Sequence, residues 1–152
     1  MKKMFALAFV LGLMFFGHSS AQTEVEGNVR GVWDVEGSPY VVVGDLDIQR
    51  GEELLIEPGV AVRFERPNRM WVHGLLTAVG TEEDSIVFTQ HRDGRRWRGI
   101  RIENADDDTE ISYAIVEYAE TIGEFDEVEA RGGGIACFET DALFSHNTLR
   151  FN

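Results

Sequence analysis

The densest concentration of chemistry-bearing side chains is "HRDGRRWRGIR" (His91 to Arg101), where Arg92, Arg95, Arg96, Arg98 and Arg101 surround Trp97. Guanidinium forks pair bidentately with carboxylates, and an aromatic face can stack on a sugar ring. Arg95, Arg96, Trp97 and Arg98 are therefore the candidate contacts for an acidic polysaccharide. The alternative is a solvated turn whose arginines pair with nearby acids while Trp97 covers the core. Arginine is a poor general base because its pKa lies above about 12, so the cluster speaks for binding rather than catalysis.

The other reactive residues are dispersed. "ENADDDTE" places Asp106, Asp107 and Asp108 together, the candidate ligands for Ca²⁺, which takes several hard oxygens. Their spacing fits neither an EF-hand nor a glycine-aspartate nonapeptide repeat, and a hydrated turn is the expected role. His73, His91 and His146 show no metal-ligand spacing. Cys137 alternates with Ile135 in "GIACF", which predicts a buried free thiol. No Gly-x-Ser-x-Gly nucleophile motif occurs, and no catalytic residue or cofactor ligand is assigned. The acidic stretch "ETIGEFDEVEARGGG" (Glu120 to Gly134) reads as a loop between structural units.

Short apolar runs must position these residues. From Tyr40 onward "YVVV", "LLI", "VAVRF", "MWV", "LLTAV", "IVF", "GIRI" and "ISYAIVEY" alternate with polar turns, followed by "GIACF", "ALF" and "TLRF". Most have three to five residues, are rich in branched or aromatic side chains, and sustain no helical stripe, so the expectation is all-β. In "VAVRF", Val60, Val62 and Phe64 share one face and Ala61 and Arg63 the other, a core face and a solvent face.

"LLIEPG" (Leu54 to Gly59) recurs as "LLTAVG" (Leu75 to Gly80) at an offset of 21 residues. Phe64 and Phe88 then correspond at 24, and Ile100 falls 24 residues after Leu76. A period in the low twenties, with insertions confined to polar turns, predicts stacked coils rather than the alternative, a β-sandwich. Three short strands per coil make a β-helix rung. Pro58-Gly59 becomes a corner between two strands, placing Leu55 and Val62 in one core.

The N-terminus carries Lys2 and Lys3, then thirteen apolar residues from Met4 to Phe16, then small residues Ser19 and Ala21. That run is shorter than the roughly twenty residues a bilayer span needs and predicts a signal peptide over residues 1–21, cleaved after Ala21. Both lysines of the chain lie in it. Beyond Ala21, twelve arginines face 27 acidic residues, a formal charge of about −15. This balance argues against nucleic acid, whose phosphates require cationic neutralisation, and against anionic membranes. A single cysteine excludes an internal disulfide framework.

Three stretches together resemble the bacterial secreted right-handed parallel β-helix proteins of the pectate-lyase-like type. They are "GVWDVEGSPYVVVGDLDIQRGEELLIEPGVAVRF", "VHGLLTAVGTEEDSIVFT" and "WRGIRIEN". "HNTLRFN" resembles the coil signature of that family, in which corner asparagines stack into ladders, here Asn147 and Asn152. The resemblance implies an N-terminal capping segment over residues 22–39 and β-helix coils over residues 40–152, truncated before a C-terminal cap. It implies a secreted or cell-surface protein, monomeric at full length, with an extracellular polysaccharide or cell-surface component as partner. The expected function is a non-catalytic scaffold presenting loops for adhesion or glycan contact. The alternatives are the N-terminal part of a polysaccharide lyase or glycoside hydrolase with its active site in later coils, and a truncated functionless fragment.

Overall fold

The computed structural model describes residues 22–121 and 133–152. The expected signal peptide and most of the acidic insertion, residues 122–132, lie outside the described residues. In chain order the strands are β1 (Thr23–Asn28), β2 (Gly31–Trp33), β3 (Tyr40–Ile48), β4 (Glu53–Ile56), β5 (Ala61–Phe64), β6 (Met70–Val72) and β7 (Leu75–Val79). They continue with β8 (Ile86–Gln90), β9 (Ile100–Glu103), β10 (Glu110–Ser112), β11 (Ala114–Glu117), β12 (Ile135–Phe138), β13 (Leu143–Ser145) and β14 (Thr148–Arg150). No helix occurs among the described residues, so the fold is all-β.

Every strand pairing is parallel. That excludes the sandwich alternative, which is built from antiparallel strands. The strands fall into three ladders. The first runs through β5, β8, β11 and β14, and the second through β6, β9 and β12. The third is the five-stranded sheet β2-β4-β7-β10-β13. The first two form one nine-stranded sheet because β3 serves both: Tyr40–Val42 pair with β5, and Leu46–Ile48 pair with β6. β1 lies against both halves of β3, through Thr23–Val25 and Gly27–Asn28. The chain therefore visits the ladders in turn and begins again, each pass laid on the last.

Alternation within each strand sends one row of side chains into a common core. In the first ladder the inward column is Tyr40, Val62, Phe88 and Val116, and in the second it is Leu46, Met70 and Ile100. In the third, Trp33, Ile56, Ala78 and Ile111 line up. All of these belong to one buried cluster. Ala78 is the one small residue of the third column and lies between Ile56 and Ile111. At the first pass Trp33 stacks on Tyr40 (4.5 Å, 7°). Burial pushes the Tyr40 phenol above its ordinary pKa, and its oxygen accepts the Asp34 N–H (3.1 Å).

The register corrects the repeat in detail. Leu54 pairs with Leu76, not Leu75, an offset of 22 residues. A one-residue slip moves every side chain to the other face, and burial follows the pairing: Leu54 and Leu76 are buried, Leu55 and Leu75 only half-buried. Leu55 therefore lies outside the core that Val62 shares with Leu54 and Ile56. Phe88 pairs with Val62 rather than Phe64, and Ile100 stacks on Met70 in the second ladder, away from Leu76. The break inside "LLIEPGVAVRF" is a corner, with Gly59 in the left-handed region (φ 80°) and its N–H donating to the Asp84 carbonyl (3.0 Å).

The corner asparagines act on backbone rather than on each other. Asn147 accepts the Ala114 N–H (2.9 Å) and donates to the Ile111 carbonyl (2.6 Å). Asn152 does the same for Ala119 (2.9 Å) and Val116 (3.0 Å). The previous pass carries alanine at both positions, so no side-chain ladder forms there. One residue earlier, rings do stack between passes at left-handed corners: Tyr113 on His146 (4.5 Å) and Tyr118 on Phe151 (5.1 Å).

The register makes a prediction about stability. Leu54→Ala and Leu76→Ala should each destabilise by about 2–5 kcal/mol, whereas Leu55→Ala and Leu75→Ala should cost less than about 1.5 kcal/mol. Denaturant melts of the four variants check this, and equal losses at Leu54 and Leu55 would contradict the offset of 22.

Candidate functional site

One corner of the stack grows while the others stay short. Between the first and second ladders the connection is three residues within β3 (43–45), five from β5 to β6 (65–69) and nine from β8 to β9 (91–99). No connection at the other two corners exceeds six residues. Loop-closure entropy rises only logarithmically, by about 0.6 kcal/mol per doubling. The stack therefore tolerates such growth wherever the added chain faces solvent. Insertions that gather on one side of a repeat array mark its commonest binding face.

The arginine-rich stretch is the nine-residue connection at this corner, and its members divide by role. Trp97 takes the covering role that the sequence offered as the alternative, and so corrects its place among the glycan contacts: it is 0% exposed and stacks on Phe64 (4.0 Å, 12°). Its indole Nε1 donates to the Glu117 carbonyl (2.9 Å). A ring so enclosed has no face for a sugar, so Trp97 is withdrawn as a contact and belongs to the core. Arg96 donates to the carbonyls of Ala119 (3.3 Å) and Phe151 (2.8 Å), tying successive passes together. Arg98 has its Nε buried, and its backbone N–H donates to the Asn68 carbonyl (2.9 Å).

Of the four candidates Arg95 lines a pocket, which it shares with Glu65, Arg66, His91 and Arg92. The two connections are laid side by side here. The His91 N–H donates to the Phe64 carbonyl (2.8 Å), which fixes the start of the longer loop on the end of β5. A tight turn follows: the Arg95 N–H donates to the Arg92 carbonyl (3.1 Å), and Gly94 takes the left-handed conformation (φ 70°) that such turns favour. Ion pairs at the pocket are long and exposed. Arg92 lies 3.9 Å from Glu65, and Arg66 lies 3.7 Å from Glu120. Exposed pairs of this kind contribute about 0–1 kcal/mol.

The remaining arginines of the corner are structural. Trp71 sits between buried Met70 and Val72 in "MWV", so strand alternation alone turns it outward. Arg69 and Arg101 lie over its ring at 4.9 and 5.3 Å, and Arg101 also covers Phe138 at 4.5 Å. His73 stacks parallel to Trp71 (5.8 Å, 9°) with its Nδ1 2.8 Å from Asp47 Oδ1. With Arg69 and Arg101 both buried, this row clamps adjacent strands of the second ladder. Sequence reading missed Arg66 and Glu65 as pocket residues because they lie some 25 residues before the arginine stretch. Only the register brings them beside it.

Two further expectations meet the structure here. The Asp106 carboxylate accepts the Asp108 N–H (3.0 Å) and Asp107 accepts the Asp141 N–H (3.3 Å), so these side chains hold turns. Among the described residues no group of three or more His, Cys, Asp or Glu is placed to hold a metal ion. Cys137 is exposed, not buried, with its thiol donating to the Thr140 carbonyl (3.4 Å). It occupies the inward column of Ile48, Val72 and Ile102, but β12 is the edge strand of its ladder and nothing described covers it.

The chain is similar to Protein bark beetle of Drosophila melanogaster, at 36% identity over 69 residues. The match covers 45% of this chain and 2% of that protein's length. No protein family matches the chain, and no solved structure matches it.

Core and pocket residues should separate in mutagenesis. Trp97→Ala should destabilise the fold by about 3–5 kcal/mol, and Arg95→Ala should change stability by less than about 0.5 kcal/mol. Thermal melts of both variants test the division. A Trp97→Ala variant melting like the parent would return Trp97 to the surface.

Proposed function

We propose that the chain is a stretch of exported right-handed parallel β-helix that works as a non-catalytic scaffold, presenting corner loops for contact with extracellular glycans. The observation that carries this reading is the growth of one corner from three to nine residues over an otherwise regular stack. The general preference of parallel crossovers, about 98% of which are right-handed, supports the hand of this winding. The core columns make a stiff support, and the elongated corner collects Arg66, Arg92 and Arg95 on a chain whose formal charge beyond Ala21 is about −15. Exposed arginines on so acidic a chain favour an anionic partner at that corner and disfavour one elsewhere.

Export rests on the signal-like N-terminus. Among the described residues no helix is long and apolar enough to cross a membrane. Produced in a secreting host, the exported product should begin at Gln22 by N-terminal sequencing, and a product retaining Met1 would overturn export by cleavage.

The scaffold is distinguished from a lyase or hydrolase by turnover. The full chain, passed over immobilised acidic and neutral polysaccharides, should be retained on the acidic ones without releasing unsaturated or reducing sugar ends. Release above a protein-free control would establish an enzyme, and passage through every matrix would remove glycan contact.

A further inference from the structure

The elongated corner encloses a small, strongly cationic pocket whose size points to its ligand. Glu65, Arg66, His91, Arg92 and Arg95 line a space of about 120 Å³. That is a small recess, of a size to take one oxyanion. Three guanidinium groups face one carboxylate there, and the 3.9 Å separation of Arg92 from Glu65 leaves the guanidinium able to reorient. Arg92 is 70% exposed and Arg66 54% exposed in their side chains, so both reach the mouth from the solvent side.

A second observation falls at the same corner. Among the described residues, the buried side-chain polar atoms without a hydrogen-bond partner are Gln90 Oε1, His91 Nδ1 and Arg98 Nε. All three belong to the end of β8 and the connection that follows it. Buried polar atoms are ordinarily satisfied, and each exception marks a place where a partner is missing. His91 is the member of this set that also lines the pocket, although its Nδ1 is itself buried.

We propose that this pocket binds a single carboxylate or sulfate group of an anionic glycan, the sugar rings lying outside it across the exposed corner. The inference deepens the glycan-contact reading above and rests on it. Arg92 and Arg95 bind as forks projecting from one tight turn, each able to donate two parallel N–H bonds to the oxyanion. Arg66 closes the site from the neighbouring pass. Charge-assisted bonds of this kind weaken with salt, since part of the attraction is screened within about 8–10 Å at physiological ionic strength.

The test is titration calorimetry on the full chain with three probes: an oligogalacturonate carrying carboxylates alone, a sulfated dextran oligomer, and the same dextran unsulfated. Arg92→Ala/Arg95→Ala should weaken anionic probes by about tenfold or more, and the corresponding double lysine variant should recover part of the loss. Arg63→Ala, an exposed arginine of β5 outside the pocket, should alter binding less than about twofold and controls for net charge. Binding of only the carboxylated or only the sulfated probe supports the site and identifies its group. Anionic binding that the double alanine variant leaves unchanged overturns the pocket while glycan contact stands. Unsulfated dextran bound as tightly as the charged probes does the same. No binding of any probe overturns both. Unaltered thermal melts of the variants exclude unfolding as the cause.

Discussion

The structure depends on one constraint: each strand inside a ladder lies parallel and in register between the strands one pass before and after it. Side chains alternate with a period of two, so this pairing decides for every residue whether it faces core or solvent. Leu54 over Leu76 and Val62 over Phe88 are consequences of it, and so is the outward turn of Trp71 between Met70 and Val72. Because the pairing acts only within strands, the connections are free to lengthen. The corner between the first and second ladders uses that freedom, while the columns on either side of it remain aligned.

Satisfaction of the backbone at corners is the second requirement, met by different residues in successive passes. Ser38 accepts the Ala61 N–H, Asn68 donates to the Val42 carbonyl, Thr140 accepts the Ala105 N–H, and Asn147 and Asn152 each hold two groups. Each bond links one pass to its neighbour, so the corners reinforce the stacking that the strands impose. Arg96, reaching from the arginine-rich connection to the carbonyls of Ala119 and Phe151, belongs to the same set. Its position in a charged sequence gave no sign of that role.

Much of the architecture was legible because alternation is local. "VAVRF" announced its two faces, and the Pro58-Gly59 corner followed from what those residues exclude. The exact register was not legible. A Leu-Leu pair offers two leucines to one inward position, so Leu75 and Leu76 match Leu54 equally well on identity, and only the pairing decides between them. Cys137 was misjudged for a related reason. Its alternation correctly gave an inward column, but burial also requires a covering strand. For Trp97 the sequence left a sugar contact and a core cover open, because it lies outside any strand and only Phe64 of the previous pass encloses it. The pocket needed Glu65 and Arg66 beside Arg92 and Arg95, a proximity created by stacking and invisible in linear spacing.

The in-register stack is tested most directly by cross-linking at half-buried outward positions. Leu55 and Thr77 are register partners, whereas Leu55 and Leu76 would be partners at an offset of 21. In a Cys137→Ser background, Leu55→Cys with Thr77→Cys places two thiols on adjacent parallel strands, within the Cα separation of about 4.4–6.8 Å that a disulfide spans. The account predicts that this pair oxidises readily to an intramolecular disulfide in the folded chain, while Leu55→Cys with Leu76→Cys does not. Efficient closure of the second pair and failure of the first would contradict it.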